Sequence, residues 1–253
     1  MTSDNVRPQA SRPLRAVFFD LAGTLIHVRG GLGYQYARVA ADFGIQADPG
    51  AMDVVFSDAF RAAGPEFTRD SNDEASVVPA RPDPGRTFWR RVVRGVYDRI
   101  GVAVEPSTFD RYFDRLFDHF ALAEAWDLYP DVEPALDRLE REGLILAVVS
   151  NFDSRVVRLL PALGLDRFFR TLAVPAYAGA AKPDCAIFRY ALGRHGLAPE
   201  EAVQVGDSVE NDLQAARAAG VGAVLLDRSG RHAGVAPSIR SLEELPRRLG
   251  LRA

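Results

Sequence analysis

The sequence predicts an α/β fold: a Rossmann-like parallel sheet core with helices on both faces, plus an inserted all-helical segment. Three observations lead to it. Short continuous apolar runs at 17–19, closing the strand 14–19, and at 144–149 have the character of strands buried on both faces, and 202–205 reads as a further strand. After Tyr129 such runs alternate with stretches of helical apolar spacing, the pattern of right-handed crossovers in a parallel sheet. The first run stands apart from the rest, behind a long stretch of helix and loop. One strand cannot form a sheet, so it joins the later strands and leaves the intervening residues as an insert.

Taken in order, residues 1–13 are polar, with Arg7, Pro8, Arg12 and Pro13 and no apolar stretch. They read as a mobile tail rather than a signal peptide. The first strand, 14–19, ends at Asp20, and Gly23-Thr24 reads as a turn. Tyr34, Ala37, Ala40 and Ala41 recur at helical spacing over 34–43, and a second helix covers 51–62. Pro65, Pro79, Pro82 and Pro84 make 64–85 a long loop. Phe88, Val92, Val93, Val96 and Ile100 mark a third helix. A fourth carries an aromatic stripe, Phe109, Tyr112, Phe113, Phe117 and Phe120, read as packing rather than as a ligand site. A helix over 131–142 is stopped by Gly143. There follow a strand at 144–149, a helix at 153–163, a strand at 171–174 and a helix at 184–195. A strand at 202–205, a helix at 210–219 and a strand at 222–226 complete the pattern. The expected organisation is a catalytic core of 14–28 and 123–253 and a helical cap of 29–122, a device that gates a site and excludes water.

Composition excludes several classes of function. Of 253 residues, 47% are apolar and 26% charged, as in an ordinary soluble globular protein. No apolar run approaches the ~18 residues of a membrane span. A net charge of −3 advertises neither nucleic acid nor an anionic membrane as partner. One cysteine, Cys185, excludes a disulfide framework and fits a reducing, cytoplasmic setting. The basic residues are all arginine except Lys182. Where arginine serves everywhere else, a lone lysine suggests a position that needs a compact ammonium. Nothing in the sequence bears on oligomeric state.

Ligands of parallel α/β sheets bind beyond the carboxyl ends of the strands. Those ends carry Asp20, then Ser150-Asn151, then Asp207-Ser208 with Asn211 and Asp212 just beyond, and Lys182 enters the helix before the third of these strands. Asp20 suits a nucleophile or metal ligand. Asp207 supplies a second hard oxygen, and two carboxylates with carbonyls and water suit Mg²⁺. Ser150 and amides at a helix N-terminus suit phosphate. Lys182 can neutralise nucleophile and phosphoryl group alike, and Asp212 can orient a metal-bound water or hold the ammonium. Each residue alone also has an ordinary reading. Asp20 and Asp207 can end a strand in a turn, Ser150 or Asn151 can cap the next helix, and Asp212 can complement a helix dipole. Four rim positions in order make those readings together improbable.

The sequence resembles the haloacid dehalogenase superfamily, subfamily IA with a C1 cap. Asp20-Leu-Ala-Gly-Thr-Leu25 is similar to its first motif, Val149-Ser150-Asn151 to its second and Ala181-Lys182-Pro183 to its third. Val205-Gly-Asp207-Ser208, with Asn211 and Asp212, is similar to its fourth. Leu128–Val132, Ser150–Asp153 and the Phe88-Trp89 helix look most like the branch named haloacid dehalogenase-like hydrolase domain-containing protein 3. The resemblance implies an aspartyl-phosphate on Asp20 and a small phosphorylated substrate. It implies Mg²⁺ held by Asp20, the Ala22 carbonyl and Asp207. Ser150, Asn151, Lys182, Gly23 and Thr24 would surround the phosphoryl group, with Asn211 and Asp212 in support. The departure is Ala22, where phosphatases of the superfamily usually carry the Asp that protonates the leaving oxygen. Such help is typically worth ~10²–10⁴-fold. Acyl phosphates need no such proton; His27 is close in sequence but reads as an ordinary loop residue. Two other readings stay open. One is a non-catalytic member that binds Mg²⁺ or phosphate. The other is a metal-independent dehalogenase in which Arg29 or Arg38 binds a carboxylate. A Schiff-base phosphonatase is excluded because no second lysine exists.

Overall fold

A computed structural model of the chain describes residues 13–64 and 84–251. Residues 1–12 of the expected tail and 65–83 of the expected loop lie outside the described residues.

Six strands form one sheet in the order β5-β4-β1-β6-β7-β8, every pair parallel. They are β1 (Ala16–Phe19), β4 (Ile145–Val149), β5 (Phe169–Ala173), β6 (Ala202–Gly206), β7 (Gly222–Leu226) and β8 (Ser238–Ile239). The remaining two, β2 (Ile26–Val28) and β3 (Trp126–Leu128), pair antiparallel in a separate ribbon. All four residues of β1 are fully buried, as its unbroken apolar run requires. Successive side chains point to opposite faces. Val17 and Phe19 join one apolar cluster, with Leu146, Val148 and Val205, while Ala16 and Phe18 join the other, with Ala147, Val149 and Leu225.

Helices cover both faces. The first cluster takes in α5 (Val132–Arg141), α6 (Val156–Ala162) and α10 (Leu245–Arg248). The second takes in α8 (Ala186–Gly193) and α9 (Ala215–Ala218), with α7 (Pro175–Ala178) packed on α8. Between β2 and β3 stand α1 (Leu32–Ala41), α2 (Pro49–Ala62), α3 (Pro84–Ile100) and α4 (Pro106–His119). Proline sits in the first turn of α2 and α4, where it is tolerated, and Asp48 and Glu105 cap them by accepting from the Ala51 and Thr108 amides. These helices share the first apolar cluster with the sheet, through Tyr36, Met52, Val93 and Phe113.

The structure departs from expectation at identifiable places. The β2–β3 ribbon and the β8–α10 tail were not foreseen; strands of two or three residues carry no readable period. The helix expected to start at 153 starts at Val156, because Asp153 turns back to accept from the Arg155 amide and side chain. Neither Ser150 nor Asn151 therefore caps it, and the amides beside Ser150 belong to a loop, not a helix N-terminus. The helix expected at 210–219 opens as a π-helix, Val209–Gln214, before α9. No helix among the described residues is long and apolar enough to cross a membrane.

Candidate active site

Strands β4, β1 and β6 are neighbours, so the residues that follow them meet at one edge. Asp20 follows β1 and its amide donates to the Val205 carbonyl of β6 (2.9 Å). Ser150 follows β4 and donates from its amide to Ala173 (3.1 Å). Asp207 follows β6. The Lys182 ammonium lies between two carboxylates, donating to Asp20 Oδ1 (2.7 Å) and Asp212 Oδ1 (2.6 Å).

Asp212 is fixed from several sides. Gln204, fully buried on β6, donates to its Oδ1 (2.9 Å), and the Ser208 amide donates to its Oδ2 (3.1 Å). Ser208 caps the π-helix by accepting from the Asn211 amide (3.1 Å). The carboxylate lies so close to Gly206 that an added Cβ there would fall 2.1 Å from its Cγ. Only glycine admits this approach.

The electrostatics follow from burial and the count of charges. Burial raises the Asp20 carboxyl above its usual range; the Lys182 ammonium opposes that, and Asp212 adds to it. Burial works against the Lys182 charge, but Asp20 and Asp212 outweigh it and hold the ammonium above its ordinary value. Asp207, partly exposed, is raised to about 7 by burial and by the neighbouring charges of Asp20 and Asp212. Asp20, Asp207 and Asp212 bring carboxylate oxygens within 4.8 Å of one another. Ionised, they outnumber the single ammonium by two charges, a deficit that a divalent cation matches. Hard oxygens in this arrangement fit Mg²⁺. Gly23 has φ +88°, and a Cβ there would lie 2.5 Å from Asp207 Oδ2, so this turn needs glycine both for its backbone and for room.

A cavity of about 460 Å³ opens over this edge. Asp20, Ala22, Gly23, Ser150, Asn151, Lys182, Asp207, Asn211 and Asp212 all line it. Thr24 does not: it is fully buried, its Oγ1 finds no partner, and its carbonyl accepts from Arg228 (2.9 Å). Asn151, expected beside the phosphate, spends its carboxamide on the Lys182 backbone, donating to the carbonyl (2.9 Å) and accepting from the amide (2.7 Å). It therefore ties the β4 loop to the lysine loop. His27 lies on β2 rather than in a loop and lines the cavity with its ring against Tyr129, centroids 4.7 Å apart. Arg29 is engaged with Asp127 (2.8 Å), and Arg38 meets Glu124 (3.5 Å) and the His119 ring; neither lines the cavity. The aromatic stripe of α4 is only partly packing. Phe113, Phe117 and Phe120 also face the cavity.

Several contributors escaped the sequence reading. Gln204 sits in a strand run where a polar residue looks like an interruption. Arg228 makes a two-pronged pair with Asp131 (2.8 and 2.9 Å) over the Tyr129 ring, and binds the turn after β1 through Thr24. Arg155 pairs with Asp153 and stacks 3.9 Å from the centre of Phe117. An isolated arginine among thirty gives no sequence signal.

Residues 14–220 match the haloacid dehalogenase-like hydrolases. The chain is 32% identical over 245 residues to haloacid dehalogenase-like hydrolase domain-containing protein 3 of Danio rerio, covering 94% of this chain and 97% of that one. It is 37% identical over 142 residues to phosphoserine phosphatase of Thermus thermophilus, covering 56% of this chain and 55% of that one. Among solved structures, 2-haloacid dehalogenase from Pseudomonas syringae superposes with TM-score 0.61 at 22% identity, over 94% of this chain and 98% of its own, a likeness of fold. The convergent strand ends and these alignments lead independently to one conclusion: the chain belongs to the haloacid dehalogenase-like hydrolases.

Proposed function

We propose that the protein is a Mg²⁺-dependent phosphohydrolase that takes the phosphoryl group of a small phosphorylated metabolite onto Asp20. The observation that carries this reading is the Asp20–Lys182–Asp212 chain beside Asp207. Lys182, on Asp20 Oδ1, and the Ser150 hydroxyl orient the carboxylate that would attack phosphorus. Asp212 and Gln204 hold the lysine side of the site, so the ammonium is preorganised for a phosphoryl oxygen. The Ser150 hydroxyl accepts from the Phe152 amide (3.2 Å) and donates to the Asp20 carboxylate, which holds it beside the nucleophile, where it would turn to a second phosphoryl oxygen. Asp20, the Ala22 carbonyl and Asp207 would hold Mg²⁺. Bound there, the ion neutralises charge on the transferring group. Asn211 and Asp212 support the acidic side; Gly23, whose amide donates to the Ile26 carbonyl (2.7 Å), shapes the turn beside Asp207 rather than donating to the phosphoryl group. The free cysteine, Cys185, accords with a reducing, cytoplasmic setting.

Acetyl phosphate tests the reading directly, because its leaving group needs no proton. With Mg²⁺ the wild-type protein hydrolyses it. Asp20→Asn lowers turnover by roughly 10³-fold or more, and chelation of the metal abolishes it. Equal turnover by wild type and Asp20→Asn overturns the reading. In that event Ala22 favours a phosphate- or Mg²⁺-binding protein without catalysis. Dehalogenation stands lower, since neither Arg29 nor Arg38 lines the cavity; halide release from 2-haloacids without metal is its check.

A further inference from the structure

The cavity has two unlike halves. Its floor is the polar edge of the sheet. Its upper wall is formed by Phe56, Phe60, Trp89, Phe113, Phe117 and Phe120, with Trp126 and Phe152 at the side. Rings meet edge to face along and behind this wall, Phe60 with the buried Phe88 (5.1 Å) and Phe120 with Trp126 (5.6 Å). Among the described residues, Arg155 is the one arginine that lines the cavity, and its guanidinium is already bound to Asp153, to the Phe117 carbonyl (3.1 Å) and to the Phe117 ring. No described cation is left for a second anionic group. The wall offers few partners for sugar hydroxyls, and burying them unpaired is costly. Rings lined by rings gain both apolar burial and edge-to-face contact.

A second observation is independent of the wall. Ala22, exposed two residues beyond Asp20 and lining the same cavity, has no proton to give to a leaving oxygen. An alkoxide is a poor leaving group without a proton, whereas a phenol ionises near pKa ~10 and leaves more readily.

We propose that the substrate is an aryl phosphate monoester, its ring seated among Phe60, Trp89, Phe113 and Phe117 and its phosphoryl group on Asp20. This assignment rests on the phosphohydrolase reading of Asp20. In the first step an Asp20 oxygen forms a bond to phosphorus, the phosphorus–aryl oxygen bond breaks, and its electron pair leaves on the aryloxide. In the second, water attacks the aspartyl-phosphate. Its hydroxyl stays on phosphorus, its proton ends on the aryloxide, and the Asp20 carboxylate is regenerated. The products are one phenol and one inorganic phosphate.

The test separates ring recognition from chemistry. Binding of 1-naphthylmethylphosphonate and of methylphosphonate is measured by calorimetry on the full chain with Mg²⁺, alongside Asp20-dependent hydrolysis of acetyl phosphate. The naphthyl compound is expected to bind about 10- to 100-fold tighter. Trp89→Gln and Phe60→Ser, both at incompletely buried positions, should cut that ratio several-fold, with far-ultraviolet circular dichroism checking that the variants fold; an unchanged ratio in the folded variants overturns the aryl assignment. Turnover of 1-naphthyl phosphate should exceed that of glycerol 1-phosphate by about 10²-fold or more. Equal affinity for the two phosphonates, with acetyl phosphate hydrolysed through Asp20, overturns the aryl assignment and leaves the reading of Asp20 standing. Naphthyl preference without Asp20-dependent hydrolysis of any phosphate overturns that reading, and the substrate assignment with it.

Discussion

Ala22 is exposed two residues beyond Asp20, with its backbone bridged to Ile26. Ala22 is exposed on the cavity lining, so Ala22→Asp is a change at the site and not in the core. It should raise hydrolysis of alkyl phosphates by about 10²-fold and leave acetyl phosphate nearly unchanged, because only the former needs a proton. The ratio of the two rates is the measurement; an unchanged ratio in the folded variant means that proton supply does not limit the reaction. Gly23→Ala goes the other way. It places a Cβ against Asp207 Oδ2 at φ +88°, and should cost about 1–2 kcal/mol of stability. Calorimetry should show weakened Mg²⁺ binding; wild-type affinity in this variant would detach Asp207 from the metal. At this scale the sequence was a good guide where side chains carry charge at strand ends: Asp20, Lys182 and Asp207 all reach the cavity. It misled where a residue's role depends on what its neighbours leave unsatisfied. Thr24 is turned inward, and the Asn151 amide faces a backbone 31 residues away.

Short connecting elements hold these side chains in place. The β2–β3 ribbon joins the root of the helical insert, with His27 opposite Asp127. Its partners are a hundred residues apart in sequence and three residues long, so neither periodicity nor a turn signal reveals it. The long strands and amphipathic helices, by contrast, were legible within a few residues, because burial on one or two faces writes a period into them. The π-helix after β6 matters for the same reason as the ribbon: its widened turn begins at the Ser208 cap, and Asp212, one turn in, reaches back to Lys182. The Asp131–Arg228 pair ties α5 to the segment after β7 and to the first turn of the site. Burial alone would raise the Asp131 carboxyl, but hydrogen bonds from Arg228, Ser241 and the Leu242 amide prevail and lower it. A carboxyl depressed in the folded state adds stability above its unfolded pKa and loses it as pH falls through that value toward the folded one. Thermal midpoints measured downward from pH 6 should therefore fall in acid. Asp131→Asn should start lower at pH 6 and fall less steeply; parallel curves would show that this pair does not contribute to acid lability.

One apolar cluster runs without a break from Val17, Leu146 and Val205 in the sheet, through Leu25, Ile26 and Trp126 at the ribbon, to Tyr36, Val93 and Phe113 in the insert. Sequence suggested a core and a cap as two bodies, since the insert interrupts the alternating pattern; it has no way of showing that both draw on one core, because that depends on which faces meet. A shared core couples the stability of its parts. Both tryptophans of the chain, Trp89 and Trp126, lie in or at the base of the insert, so their fluorescence reports that region. Leu146→Ala removes a buried side chain from β4, on the far side of the cluster. It should cost about 2–5 kcal/mol and lower the thermal midpoint by on the order of 5–15 °C. If the core is continuous in energy as well as in contact, tryptophan fluorescence and far-ultraviolet circular dichroism shift together by the same amount. A fluorescence midpoint that stays at the wild-type value while the dichroism midpoint falls would mean that the insert melts independently. The aromatic wall of the cavity would then keep its form without the sheet beneath it.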